Sequence, residues 1–366
     1  MKKWLFFALI ALFMGACASQ TGVPSKVNVQ SSTELTNSTK NALVYALPST
    51  TVRVEVEAEK TISKVGPFYR YSQKYLNISN VVLDDKVEWV LKSVKVYTVG
   101  VPDQNKWFKV NFEGNNVAPL LSLTEEGVLA GVNMPIGPKQ VTTLRTEDQE
   151  KGPELADVTF DAVPMLEKQL VKTSTAAMAE EAANFIYKVR KRRFKILASD
   201  YEHLPPDGQS YEVMVRELNN IEQNFLELFV GKKEKFQVIK TIDFLPDSMS
   251  TNNDVLFRFS SQQGILDKMD LSGTPVYIDI QVPDKKELPA GPSANPKEST
   301  QQGLVYCMPA KATVKIIDRN KLLLEKEVLL GQYGQLISLP HNLLEQNNVR
   351  IELDTATGAL KGVYKE

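Results

Sequence analysis

Cysteine and histidine, the side chains that most often act as nucleophiles, bases or metal ligands, are scarce in this chain of 366 residues. The two cysteines are Cys17 and Cys307, and the two histidines are His203 and His341, each beside a Leu-Pro pair. A catalytic thiol needs a nearby base, and transition-metal centres rely mainly on these two residue types. The sequence also lacks a phosphate-binding loop, a dinucleotide fingerprint and the H-E-x-x-H and G-x-S-x-G motifs. We therefore predict no catalytic residue of these types, no metal and no cofactor.

Cys17 ends an N-terminal pattern that is typical of a bacterial lipoprotein signal. Two lysines precede an apolar run of ten residues at positions 4–13, which is too short to span a bilayer as a mature helix. The run leads into Met14-Gly15-Ala16-Cys17, where Met replaces the usual Leu of the lipobox. We predict a signal peptide at residues 1–16 and attachment of acyl chains such as palmitate at Cys17, since several chains anchor a protein stably. The alternative is an ordinary secretory signal with an incidental cysteine.

Residues 17–41 link this N-terminus to the rest of the chain. They are rich in Ser, Thr, Asn and Gln, and we predict a flexible tether with a mean reach of roughly 25–30 Å. Ala18 is not the Asp that marks retention in the inner membrane, and no acidic run follows Cys17 to signal export to the cell surface. We therefore expect a cell-envelope protein, an outer-membrane lipoprotein that faces the periplasm and contacts the membrane through its N-terminal lipid.

Two motifs occur twice in the chain and predict two related β units. The pattern T-x-x-G-x-L-x-G-V is found at residues 124–132 and again at 355–363. The two regions open with Leu43-Val-Tyr-Ala-Leu-Pro48 and Leu304-Val-Tyr-Cys-Met-Pro309. Thr and Gly at this spacing are typical of a hairpin turn in which Gly adopts a positive φ. Cys307 lies in the second opening motif and, without a disulfide partner, is predicted to be a buried core residue.

Alternating apolar and polar residues predict strands in both units. In the first unit, apolar residues at 52, 54, 56 and 58 alternate with polar residues that include Glu55, Glu57 and Glu59. The three glutamates therefore share one face of a strand. They could bind a metal ion, but adjacent carboxylates on an exposed strand more often form a solvated face.

The order of these patterns predicts a mainly β, α+β fold with two β-sandwich-like domains related by duplication and an inserted helical hairpin. We place the N-terminal β domain at 42–165, the helical hairpin at 166–233 and the C-terminal β domain at 234–366. Within the hairpin, good helix formers with apolar residues at helical spacing predict helices at 176–197 and 211–230.

An aromatic insertion in the first unit is a candidate binding surface. It comprises Phe68, Tyr69, Arg70, Tyr71 and Tyr75. Aromatic faces with one arginine can stack on a sugar or a peptide. The alternative is an aromatic plug that packs onto the sheet below.

A basic cluster near the end of the first long helix is a candidate anion-binding surface. Its members are Lys188, Arg190, Lys191, Arg192, Arg193 and Lys195. Basic residues at a helix C-terminus are favoured by the helix dipole, which accounts for them without any ligand. As a binding surface, they would attract anionic lipid headgroups or a phosphorylated glycolipid.

Four short motifs are spread over most of the mature chain: Tyr45-Ala-Leu-Pro48, Gly66-Pro-Phe-Tyr-Arg-Tyr71, Leu204-Pro-Pro-Asp-Gly208 and Gly331-Gln-Tyr-Gly334. In combination they resemble a family of uncharacterised Bacteroidota lipoproteins. The resemblance implies a protein of a Gram-negative envelope. It brings no known activity and no assigned site, so no catalytic residue follows from it.

These observations favour a lipid-anchored envelope protein that serves as a non-enzymatic binding or scaffold module for a protein or glycan partner. A periplasmic carboxylate-dependent hydrolase is one alternative, because its two acids can come from distant strands and leave no spacing signal. A binder of anionic lipid through the basic helix end is the other. Lys and Arg total 43 and Asp and Glu total 44, so the overall charge gives no reason to expect a nucleic-acid partner.

Overall fold

The computed structural model of the chain describes residues 26–31, 42–113, 120–134, 151–198, 200, 208–283, 301–339, 343 and 348–365. These residues are mainly in β-strands, with a smaller helical part, which confirms the predicted mainly β, α+β class. The predicted signal peptide, Cys17, both histidines and most of the predicted tether and of the Leu204–Gly208 motif lie outside the described residues.

The first sheet is built on two very long strands. It contains β1 (Lys26–Ser31), β2 (Ala42–Lys64), β3 (Lys86–Glu113), β6 (Lys232–Phe244) and β10 (Gln301–Gln302). Their order is β10-β1-β3-β2-β6, and all neighbours are antiparallel. As the alternation predicts, Val52, Val54 and Val56 on β2 are fully buried, while the intervening residues are partly exposed.

The second sheet packs its apolar face against the first. It contains β7 (Ser250–Ser260), β8 (Gly264–Leu266), β9 (Thr274–Gln281), β11 (Val305–Asp318) and β12 (Lys321–Ser338), in the order β12-β11-β9-β7-β8. The valines of β2 share one core with buried residues of this sheet, among them Ile278, Val314 and Ile316. Period-two burial on both inner faces gives the sheet-on-sheet arrangement of a β-sandwich.

A third, smaller sheet closes one end of the molecule. It contains β4 (Leu121–Leu123), β5 (Leu129–Val132), β13 (Val349–Leu353) and β14 (Leu360–Lys365), in the order β14-β13-β5-β4. Its inner face covers a second core that includes Tyr45, Phe108, Leu304 and Ile351.

The two units share one plan. In the first, the long hairpin β2–β3 is followed by the short hairpin β4–β5; in the second, β11–β12 is followed by β13–β14. The turn glycines of the two closing motifs, Gly127 and Gly358, have φ of +86° and +74°. The prediction of a repeated opening strand and closing hairpin is confirmed.

Two of the three sheets join strands from both of the predicted β regions. β6 lies beyond the predicted boundary at 234, yet it pairs with β2 from Val52↔Phe244 to Lys64↔Lys232. In the third sheet, β13 pairs with β5. The domain boundaries themselves stay a prediction, but the strands on either side of them share backbone ladders and cores.

The helices are α1 (Ser72–Leu76), α2 (Glu167–Leu170), α3 (Thr175–Leu197) and α4 (Gly208–Val230). α3 and α4 form the predicted helical hairpin, and the Ser174 hydroxyl caps α3 by accepting the Ala177 N–H. Three buried alanines of α3, Ala179, Ala182 and Ala183, allow close packing against Phe225 and the other buried residues of α4. Within the described residues, no helix combines the length and the apolar character that a membrane crossing requires.

Candidate functional site

A groove of about 510 Å³ lies where the two units meet. The first unit contributes part of β3, and the second contributes the β11–β12 hairpin and the turn between β13 and β14. The lining residues are Tyr97, Thr98, Lys311, Lys326, Glu327, Val328, Leu329, Asp354, Thr357, Ala359 and Lys361. Tyr97 and Thr98 come from the first unit, and the other nine lining residues come from the second.

Buried Thr50 on β2 holds two walls of the groove together. Its hydroxyl donates to the Ala356 carbonyl at 2.8 Å and accepts the Gly331 N–H at 2.9 Å. The Gln332 side-chain amide forms two more hydrogen bonds with the backbone of Thr50. Its oxygen accepts the Thr50 N–H, and its nitrogen donates to the Thr50 carbonyl. A Cβ at position 331 would lie 2.5 Å from the Thr357 carbonyl oxygen, so only glycine permits this approach. The Gly331-Gln-Tyr-Gly334 motif is therefore part of the groove's frame.

Asp354 organises the turn that forms one wall of the groove. Its Oδ1 atom accepts hydrogen bonds from the Ala356 and Thr357 N–H groups at 2.8 and 2.9 Å, and its other oxygen lies 3.1 Å from Lys361 Nζ. Burial raises the pKa of Asp354, but the bond and charge of Lys361 and the two backbone donors outweigh it and lower the pKa below its usual value. Asp354 is therefore an ionised structural acceptor.

The opposite wall combines an aromatic ring, an exposed leucine and a cation. Tyr97 and Leu329 are 47% and 44% exposed. Lys326 Nζ donates to the Val96 carbonyl at 2.6 Å and lies 5.7 Å from the centre of the Tyr97 ring. Within the described residues Lys326 has no carboxylate partner, so its charge is available to a ligand.

The acidic side chains of the groove bear on the hydrolase alternative. Both carboxylates of the groove form ion pairs with lysines: Asp354 with Lys361, and Glu327 with Lys311 at 2.7 Å. A glycosidase-type pair needs one carboxyl group whose pKa is raised so that it can act as an acid. The pKa of Asp354 is lowered instead. The groove thus offers stacking, apolar contact and hydrogen bonding.

The predicted aromatic surface packs largely against the helical hairpin. Phe68 is buried with its ring 5.5 Å from that of Phe229, and Tyr71 and Tyr75 lie against the same helical core. The Tyr75 hydroxyl donates to the Ala176 carbonyl at 3.4 Å. The plug interpretation placed these rings on the sheet, but they pack on α3 and α4.

Arg70 is the exposed member of this insertion, and it contacts the half-buried Tyr69. Arg70 is exposed, and its Nε donates to the Tyr69 hydroxyl at 2.9 Å. The guanidinium carbon lies 5.5 Å from the centre of the Tyr69 ring. The pair can stack on a ligand, so a binding role for this part of the insertion stays a prediction.

The predicted basic cluster divides into two groups. Arg190 and Arg193 both form ion pairs with the buried Glu222 on α4, the first at 2.6 Å, and Arg193 also donates to Asn219. These two arginines therefore connect the helices. The other four members are exposed and form no ion pair within the described residues: Lys188, Lys191, Arg192 and Lys195.

Glu55, Glu57 and Glu59 lie on the outer face of the first sheet, as the solvated-face interpretation predicts. Glu59 forms ion pairs with Lys92 and Lys235, and Glu55 with Lys95. Among the described residues, no three His, Cys, Asp or Glu side chains come together in a way that could hold a metal ion.

Cys307 is buried, as predicted. Its thiol donates to the Gly331 carbonyl, with the sulfur 3.1 Å from the oxygen. Burial raises the pKa of this thiol to about 11, despite the opposing charge of Lys106.

The groove itself was not predicted from the sequence, because its walls come from segments more than 200 residues apart. One local signal was present. Val94 and Val96 face the core, so period two places Tyr97 on the solvent side of β3. A large aromatic side chain on the wet face of a strand is a feature of binding surfaces.

A protein-family model described as "Domain of unknown function (DUF4831)" matches residues 41–361. The match covers both units, the helical hairpin and every residue of the groove. No curated protein and no solved structure matches the chain.

Proposed function

The chain belongs to the DUF4831 family, and we propose that it is a lipid-anchored envelope protein whose β units bind a protein or glycan partner without chemically changing it. The observation that carries this proposal is the groove between the units, with Tyr97, Leu329 and Lys326 exposed along one wall. A volume of about 510 Å³ falls within the range of natural ligand sites.

The construction of the groove supports a binding role. Its walls are fixed by the hydrogen bonds of Thr50 and by the Asp354 turn, so little conformational freedom is lost when a ligand binds. Its exposed groups suit a sugar face stacked on Tyr97 or an extended peptide lying along Leu329. Its carboxylates are engaged by lysines, which disfavours an acid–base mechanism.

The anchor is supported by the sequence alone. The lipobox at Cys17 and the polar stretch that follows it support attachment to a membrane through acyl chains. We infer an outer-membrane lipoprotein of a Gram-negative bacterium that faces the periplasm. Incorporation of labelled palmitate, and its loss in a Cys17→Ala variant, tests this part independently of the groove.

The binding proposal is tested with a pair of matched variants. Leu329 and Leu322 both lie on β12 and are 44% and 49% exposed, but only Leu329 lines the groove. Lipidated protein should be cross-linked to its partner in intact envelopes and purified. We expect Leu329→Ala to lose the cross-linked partner and Leu322→Ala to retain it.

Two outcomes would overturn the binding proposal. One is equal recovery of every cross-linked species by both variants. The other is turnover of an envelope glycan by the purified protein, abolished by Asp354→Asn or Glu327→Gln, which would establish the hydrolase alternative.

A further inference from the structure

The C-terminal half of α3 exposes apolar and basic side chains side by side. Phe194 is 72% exposed and Leu197 is 56% exposed, although both are large apolar residues. The four exposed members of the basic cluster lie on the same half of the helix as Phe194 in sequence: Lys188, Lys191, Arg192 and Lys195. We propose that this surface, hereafter the α3 surface, binds the headgroups of an anionic lipid bilayer and inserts Phe194 at the boundary with the acyl chains.

Helical geometry places the three lysines of the cluster on one side of α3. Residues at spacings of three and four lie on the same face, so Lys188, Lys191 and Lys195 form one row. Phe194 lies beside that row, one helical turn beyond Lys191. The buried residues Ile186, Val189 and Ile196 lie on the opposite side, against α4. An apolar edge next to a basic row is the pattern of helices that lie in a membrane interface.

Contacts that stabilise the fold account for only some of the basic residues in the cluster on α3. Arg190 and Arg193 are used to bind Glu222 between the helices, and they are not part of the α3 surface. The helix dipole acts within the last turn, and only Lys195 lies there. Lys188 and Lys191 lie two turns or so before the helix end, and neither has an ion-pair partner among the residues that the structure describes.

The distribution of charge within α3 points to an anionic partner. Its acidic residues, Glu180 and Glu181, lie in the N-terminal half, and all six basic residues lie in the C-terminal half. On the facing part of α4, Glu222 is bound by two arginines and Glu217 lies 3.8 Å from Arg216. The lysines of the α3 surface thus keep their charge for an external partner.

A lipid bilayer fits the combination better than a soluble anion does. Phosphate headgroups satisfy the lysines and the arginine, while the region just below them accepts the aromatic ring of Phe194. A soluble polyanion would leave Phe194 in water. This inference does not depend on the groove, and it holds for the protein without its N-terminal lipid.

The test uses the full mature chain from residue 18, which lacks Cys17 and cannot be lipidated. Sedimentation with phosphatidylcholine vesicles is compared with sedimentation with vesicles that also contain phosphatidylglycerol. The variant Lys188→Gln/Lys191→Gln/Arg192→Gln/Lys195→Gln should bind the anionic vesicles about six-hundredfold more weakly, from roughly a factor of five for each of four charges. Salt should weaken binding of the wild type as well.

A matched variant removes the same number of positive charges from exposed strand and loop positions: Lys233→Gln/Lys268→Gln/Lys321→Gln/Lys365→Gln. It should bind anionic vesicles within about twofold of the wild type, since none of these charges lies on α3. Phe194→Ala should weaken binding, whereas Leu271→Ala, at a residue 80% exposed in the loop between β8 and β9, should not. A Phe194→Trp variant should gain a blue-shifted fluorescence on binding that the wild type lacks.

The inference is overturned if the two fourfold variants bind equally, if neutral and anionic vesicles bind equally, or if no unlipidated form binds anionic vesicles. The last outcome would leave the palmitate and cross-linking results unaffected, so failure here is distinguishable from failure of the proposed function.

Discussion

The two β units are alike in their framework and different in what their equivalent residues do. In the first, the Ala46 N–H donates to the Gly127 carbonyl at 2.9 Å; in the second, the Cys307 N–H donates to the Gly358 carbonyl at 3.0 Å. These are equivalent positions of the repeated motifs, so each opening strand is fastened to its closing turn in the same way.

The tyrosines of the opening motifs show the difference. Tyr45 is fully buried, and its hydroxyl both donates to the Val305 carbonyl and accepts the Val305 N–H, at 3.1 and 3.0 Å. Its equivalent, Tyr306, is half-buried and packs at the edge of the same core. The first unit therefore uses its tyrosine to bind the second.

The closing turns of the two units also differ in the side chain that holds them and in the part of the molecule that they serve. The turn of the first unit is held by the neutral Thr124 side chain, which accepts the Val128 N–H at 3.1 Å. The turn of the second unit is held by Asp354 and forms a wall of the groove. One copy of the motif thus serves the core, and the other serves the candidate site.

The largest expected effect comes from the tyrosine pair. Tyr45→Phe leaves the buried N–H and carbonyl of Val305 without partners, and we expect a loss of about 2–5 kcal/mol in the free energy of unfolding. Tyr306→Phe should cost less than about 0.5 kcal/mol. Urea unfolding measures both, and equal losses would contradict the unequal roles of the two tyrosines.

Thr50 and its equivalent in the second unit, Lys311, give the next contrast. Thr50→Val keeps the shape but removes both bonds to the groove walls, and we expect a loss of about 1–3 kcal/mol. Lys311→Ala removes an exposed ion pair with Glu327, which is worth at most about 0.5 kcal/mol. Hydrogen exchange of the Gly331 amide should accelerate in the first variant only; unchanged exchange in both would show that Thr50 does not fix the walls.

The two closing turns should respond differently to pH. Because the pKa of Asp354 is lower in the folded protein than its ordinary value of 3.8, its ionisation stabilises the fold above that pH, and the stabilisation is lost as the pH falls through the folded pKa. Asp354→Asn should therefore cost about 1–2 kcal/mol at neutral pH and progressively less at acid pH. Thr124→Ala should show a loss that does not change with pH. A pH-independent loss for Asp354→Asn would refute the assigned role.

The smallest effect is expected at Cys307. This residue is the equivalent, in the second unit, of buried Ala46 in the first. With a pKa of about 11 and no exposure, the thiol should not react with iodoacetamide at neutral pH in the folded chain that begins at Ala18, but should react fully in urea. Ser248→Cys, at an exposed position in a Cys307→Ala background, provides the reactive control. Rapid labelling of native Cys307 would show that the second opening strand is not part of the core.

Local patterns were sufficient to predict β2, the repeated hairpins and the helical pair. The alternation over residues 52–56, the turn glycines at 127 and 358 and the apolar stripes of α3 and α4 are local signals. Each depends only on residues that are close together in the sequence. The pairing of β6 with β2 could not be predicted in this way. Many strands of the chain have the same alternation, so the alternation does not identify the partner of β2.

The site required contacts that no local pattern contains. Thr50 meets Ala356, and Tyr45 meets Val305, across gaps of 306 and 260 residues. The division of the basic cluster into internal and exposed residues has a partial signal in the sequence. Glu222 lies on the apolar stripe of α4 with Leu218 and Phe225, and a buried acid needs a basic partner. That pattern was enough to indicate that some of the α3 arginines are internal.

The central claim, that the groove between the units is a binding site, is tested most directly by photochemical cross-linking in living cells. A photoreactive phenylalanine analogue replaces either Tyr97 or Val90, two residues on β3 that are 47% and 50% exposed, of which only Tyr97 lines the groove. We predict a discrete cross-linked species from position 97 and none from position 90. Equal cross-linking from both positions, or none from position 97, would contradict the claim.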